Sequence, residues 1–171
     1  MSEIREIVTK AVIAKGKKLF RINELVPLTE TAEKILGCWI VNNEITTELL
    51  ENKVKINGSF EINIWYATKN NETTNIARAI ANYEDTIRLR EIVCDTIGNN
   101  TEVVTCFTQQ PNCTNACIND GEVAIEILFE ILAEVIGETK MMVTVFGNHE
   151  TDEMFDDFEN EINENFLNED S

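Results

Sequence analysis

The chain has 171 residues, 43% of them apolar, and a formal net charge of -17. That length is enough for one domain to bury a core without disulfides or metal, and that charge repels a phosphate backbone, which argues against nucleic acid as a partner. The charge is uneven: residues 150–171 hold ten acidic residues and no basic one, whereas residues 1–21 hold six basic residues against two acidic ones.

The N-terminal segment is double-valued. Ile4, Ile7, Val8, Ala11 and Val12 fit a helical stripe, so a short helix is expected, followed by a strand from about Lys10 to Leu19. The opening MSEIREIVTK carries charges where a secretion signal needs an apolar run, so no leader is expected. Trp39-Ile40-Val41 supplies bulky strand formers. Val54, Ile56, Phe60, Ile62, Ile64 and Tyr66 share one parity against Lys53, Lys55, Glu61 and Asn63, which predicts a half-buried strand with Trp65 on the opposite face from Tyr66. Ile87 and Leu89 alternate with charges, and Val103 to Phe107 alternates less cleanly.

Residues 122–136 fit two periods. Glu122, Glu126, Glu130 and Glu134 recur every four residues, as on one helix face, but Val123, Ile125, Ile127, Phe129 and Ile131 also alternate with period two. The β-branched content favours a strand, with Gly137-Glu138-Thr139 as a hairpin turn into a strand from Met141 to Phe146. Asn42-Asn43, Asn57-Gly58, Asn70-Asn71, Asn99-Asn100 and Asn119-Asp120-Gly121 read as turns, because Asn and Gly tolerate positive φ. The most apolar stretch, Ile125 to Ile136, is interrupted by three Glu and is too short for a membrane span of ~20 residues, so no membrane insertion is expected. The expected fold is all-β: an antiparallel β-sandwich over residues 1–147 with the short N-terminal helix, then a flexible acidic tail over 148–171, disordered or folded on a partner.

Several stretches in order carry a family resemblance. They are MSEIREIVTKAVIAKGKK at 1–18, ILGCWIVN at 35–42, GSFEINIWY at 58–66, TIRLR at 86–90, QQPNC at 109–113 and FEILAEVIGETKMMVTV at 129–145. Together they resemble the spore coat morphogenetic protein (CotE) family, from residue 1 to about residue 146, with the tail similar in charge rather than in detail. Residues 92–105 and 114–121 match poorly. The resemblance implies a non-enzymatic scaffold made in the mother-cell cytoplasm during sporulation and later located between inner and outer coat layers. It implies self-association through the N-terminal part, recruitment of outer coat clients through the acidic tail, and placement by the coat basement layer.

The residues offer candidates for each role. Arg5, Lys10, Lys15, Lys17 and Lys18 make a basic front that can attract the acidic back of another copy, and an exposed Trp65 is a natural protein contact. Phe155, Phe158, Ile162 and Phe166 form an apolar helical stripe in the tail, suited to docking in a partner's groove. Cys106, Cys113 and Cys117 lie within twelve residues and suit disulfide cross-links after release from a reducing cytosol. A zinc site would need Cys38, Cys94 or His149 from afar, and the tail acids Asp152, Glu153, Asp156 and Asp157 lack the fixed spacing of a calcium loop, so no metal or other cofactor is expected. His149 is the one histidine and stands at the tail boundary, and no phosphate loop or nucleophile elbow appears, so no enzyme is expected. A β-sandwich ligand-binding module, taking a glycan or metal through Trp39, Trp65 or the cysteines, is the alternative.

Overall fold

The computed structural model describes residues 2–69, 72–92 and 96–147, with side chains left aside at 96–99. Seven strands occur in it: β1 (Ser2–Pro27), β2 (Ala32–Leu49), β3 (Lys53–Thr68), β4 (Thr73–Arg88), β5 (Arg90–Glu91), β6 (Thr96–Asn119) and β7 (Glu122–Phe146). They form two antiparallel sheets, one ordered β5-β1-β7-β6 and the other β2-β3-β4. The all-β class expected from the alternation is therefore correct.

The helix expected near the N-terminus is absent, since β1 begins at Ser2. Five apolar positions satisfied a helical period, but the segment is rich in β-branched residues and a short isolated helix is marginal in water. As a strand beside β7 it gains a backbone ladder instead. The hairpin turn expected at Gly137-Glu138-Thr139 is also absent, and β7 runs straight through. Gly137 serves packing rather than turning: an added Cβ would lie 2.8 Å from Ile13 Cδ1. Asn57-Gly58 likewise sits inside β3, where Gly58 faces Tyr83 across the ladder and the Tyr83 ring occupies the space of a side chain. Asn42 takes a positive φ of 55° at a bulge within β2, not at a turn between strands. Asn99-Asn100 also lies within a strand, β6.

Two expectations are met closely. Asn119 pairs with Glu122 across Asp120 and Gly121, both at positive φ, so β6 and β7 are joined by a two-residue turn with the twist hairpins prefer. The predicted parity of β3 is correct: Val54, Ile56, Phe60, Ile62, Ile64 and Tyr66 are buried and Trp65 is exposed. The Tyr66 hydroxyl is 3.4 Å from Thr29 Oγ1, so this buried phenol keeps a polar partner.

Contacts divide the chain into two units, Lys10–Thr139 and Met1–Thr9 with Lys140–Ser171. In the larger unit the two sheets face each other across an aromatic cluster. Phe129 of β7 stacks on Phe20 of β1 at 4.9 Å and meets Tyr83 of β4 at the same separation. Phe60 of β3 and Phe107 of β6 approach the Phe129 ring edge-on. The cluster thus draws one residue from each of five strands and holds the sheets together. In the smaller unit the described residues are the ends of β1 and β7, with Glu6 and Lys140 3.6 Å apart. The expected division at residue 147 leaves the tail, including Phe155, Phe158, Ile162, Phe166 and His149, outside the described residues.

Candidate contact surfaces

Strand alternation decides which charged groups meet on the outer face of the first sheet. The glutamates spaced by four are all on the outward parity of β7. Lys17 Nζ of β1 is 3.8 Å from Glu130 and Arg21 Nε is 3.9 Å from Glu126. From the other side, Thr108 Oγ1 of β6 donates to Glu130 Oε1 at 2.6 Å and Thr114 Oγ1 donates to Glu126 Oε1 at 3.1 Å. Glu126 and Glu130 are therefore each held between a cation on β1 and a hydroxyl on β6.

Lys18 has the other parity, that of the buried Phe20, and reaches across to β4 of the second sheet. Its Nζ is 2.8 Å from Asp85 Oδ2, and this hydrogen bond holds the Asp85 carboxyl below its ordinary pKa. Lys17 and Lys18 line a cavity of about 450 Å³ with Asn52, Lys53, Thr86 and Arg88. A second cavity of about 770 Å³ is lined by Lys15, Lys17, Arg90 and Glu91 among others. Three of the basic residues singled out in the sequence, Lys15, Lys17 and Lys18, thus join Lys53, Arg88 and Arg90, which sequence reasoning did not select. Lys10 lines a separate cavity with Glu102 and Glu138. Arg5 lies in the other unit and pairs with Glu3 at 3.0 Å.

Lys53 and Arg88 are directly opposite each other in the β3–β4 register, an arrangement of like charges that weakens a sheet. Neither makes an ion pair among the described residues. Lys53→Glu is expected to convert this repulsion into a cross-strand pair and raise stability by ~0.5 kcal/mol. The same change should weaken any association that uses the cavity as an anion site. Urea denaturation and light scattering on one preparation would register the two opposite changes.

On the outer face of the second sheet, Trp39 and Trp65 pack edge to face at 6.4 Å with an interplanar angle of 88°, both well exposed. The Trp39 ring lies over Gly37, which stands opposite Trp65 in the β2–β3 register. The perpendicular rings form a ridge rather than a flat stacking platform.

The smaller unit carries apolar side chains that no core covers among the described residues. Ile4 is 68% exposed and Val8 58%, on one parity of β1, while Met142 is 64% and Phe146 76% exposed, on one parity of β7. Sequence reasoning assigned Ile4 and Val8 to a helix and gave Met142 no role. The available signal was that both strand ends keep large apolar residues on alternate positions where a solvated strand would carry charges.

The three cysteines offered for cross-links are spread along one strand. Cys106, Cys113 and Cys117 of β6 stand opposite Leu132, Ile127 and Ala124 of β7. Those β7 positions place the outer two about 26 Å apart at ~3.3 Å per residue. Cys106 and Cys117 are exposed, whereas Cys113 is half-buried. Among the described residues no group of three or more His, Cys, Asp or Glu is arranged to hold a metal ion. No described helix is long and apolar enough to cross a membrane.

The architecture is an all-β fold whose most developed surfaces among the described residues are an apolar strand pair, a basic edge and an aromatic ridge. The family model described as outer spore coat protein E (CotE) matches residues 3–170, and the chain belongs to that family. It is a spore coat protein, and its location is the spore coat. Comparisons with curated proteins and with solved structures returned no match.

Proposed function

We propose that the chain is a non-enzymatic scaffold that self-assembles around the forming spore and recruits outer coat proteins. The observation that carries this reading is the exposed apolar set Ile4, Val8, Met142 and Phe146 on the ends of β1 and β7. Two paired strands alone are at best marginally stable in water, and large apolar groups left on them favour burial against another copy. Self-association through the N-terminal part, which the resemblance implies, agrees with a contact of this kind.

Charge supplies direction. The basic residues lining the two cavities, Lys15, Lys17, Lys18, Lys53, Arg88 and Arg90, attract the acidic residues 150–171 of a neighbouring copy. Head-to-tail contacts of this type can generate open arrays, as an encircling layer requires. Trp65, with Trp39, offers a further protein contact, since exposed aromatics are enriched at interfaces. In the tail, Phe155, Phe158, Ile162 and Phe166 are the anchors for coat clients and Asp/Glu side chains keep them in solution. The chain begins in the mother-cell cytoplasm and ends between inner and outer coat layers, positioned by the basement layer.

The test combines salt and truncation. Size-exclusion chromatography with light scattering should show large or stepwise oligomers that shrink as salt rises and the screening length falls below ~8 Å. Deleting residues 150–171 should abolish capture of coat proteins from sporulating-cell extract, while oligomers held by the apolar strand pair persist. A salt-indifferent monomer, in full-length and truncated chains alike, would overturn the scaffold reading.

A further inference from the structure

Cys38 and Cys113 are separated by most of the domain in sequence and come together in the fold. Cys38 lies on β2, an edge strand, opposite the buried Ile64 of β3. Cys113 lies on β6, the edge strand of the other sheet, opposite the buried Ile127 of β7. Both therefore face inward, and both pack half-buried against the common core. β2 and β6 approach each other closely, so the two sheet edges meet along a seam. Four register shifts along β6, three before Cys113 and one after it, interrupt the simple alternation of that strand. Burial first, and then the Cys113 thiol as hydrogen-bond partner, push the Cys38 thiol up to about 12.

The geometry points to an intrachain disulfide between Cys38 and Cys113 that closes the seam between the sheets under oxidising conditions. The oxidant is a small-molecule disulfide such as oxidised glutathione. The Cys113 thiolate attacks one sulfur of that disulfide; its S–S bond breaks, and one small thiolate leaves and takes up a proton. The Cys38 thiol then loses its proton and its sulfur attacks the Cys113 sulfur of the mixed disulfide, expelling the second small thiolate. Two protein thiols are oxidised, one small disulfide is reduced to two thiols, and two protons pass from protein to leaving groups. The high Cys38 pKa keeps the thiolate scarce at neutral pH, so closure is slow there and accelerates as pH rises.

This bond differs from a cross-link between copies. Cys106 and Cys117 are exposed and open to partners, whereas the Cys38–Cys113 pair is turned into the molecule. It ties residue 38 to residue 113, a long loop whose closure restricts the unfolded chain.

The experiment uses the full chain incubated with oxidised glutathione at alkaline pH, quenched by alkylation and mapped by peptide mass spectrometry. The expected result is a Cys38–Cys113 cross-linked peptide from the monomeric band of a non-reducing gel, with three of the five cysteines alkylated. The oxidised chain should melt on the order of 10 °C higher than the reduced one. Cys106→Ala with Cys117→Ala should keep the cross-link, and Cys38→Ala should remove it. Cross-links running only through Cys94, Cys106 or Cys117, or only between chains, would overturn the assignment. So would complete alkylation of Cys38 and Cys113 in wild-type protein after oxidation, a result that does not depend on how any variant folds.

Discussion

Phe129→Ala should destabilise the domain by ~3–5 kcal/mol, the range for removing a buried aromatic side chain from a packed core. The position is extreme in this fold because Phe129 is fully buried and its ring touches Phe20, Tyr83, Phe60 and Phe107. Those partners sit on β1, β4, β3 and β6, so the cavity left behind opens between the two sheets rather than within one. Collapse to fill it would require both ladders to shift, which a 16-pair β3–β4 register resists. Leu128→Ala is the control: it removes a neighbouring side chain that is only half-buried on the outer face of β7. Urea unfolding followed by tryptophan fluorescence should separate the two variants clearly. Equal losses would mean that the aromatic cluster does not hold the sheets together.

Val8→Glu combined with Met142→Glu should weaken self-association by roughly two orders of magnitude or more while leaving the melting temperature of the larger unit nearly unchanged. Burying one large apolar side chain contributes ~1.5–3 kcal/mol and each ~1.4 kcal/mol is tenfold in affinity, so losing two such contacts exceeds the effect of any single surface ion pair. Both positions are already solvated in one copy, at 58% and 64% exposure, so the substitution costs the isolated chain little. Dilution series by light scattering would measure the shift. Unchanged oligomers would remove the strand pair from the assembly mechanism and leave the basic edge as the remaining contact.

Much of this architecture is legible in the sequence where a single cause acts. In β3 one face is core and the other is water, so parity alone places Tyr66 inside and Trp65 outside. The Asn119-Asp120-Gly121 turn is equally direct, because two successive residues need positive φ. Glycine elsewhere is ambiguous. Gly58 and Gly137 have the same local context as turn glycines, yet each is small because a distant side chain, Tyr83 or Ile13, occupies its space. No local pattern records that neighbour. The same holds for the surfaces. Lys15, Lys17 and Lys18 are visible as a run, but Lys53, Arg88 and Arg90 join them only through strand pairing. Spacing groups Cys113 with Cys106 and Cys117, whereas its spatial neighbour is Cys38.

The β3–β4 ladder runs from Lys53 opposite Arg88 to Thr68 opposite Thr73 without a bulge. Traction along these strands loads every cross-strand hydrogen bond in shear at once, whereas traction across them opens the ladder one pair at a time from an end. The sheet is therefore a directional mechanical element, stiff along its strands and peelable sideways. In the proposed layer of many copies, load carried parallel to the ladder would be released at the junctions between molecules before any molecule tore.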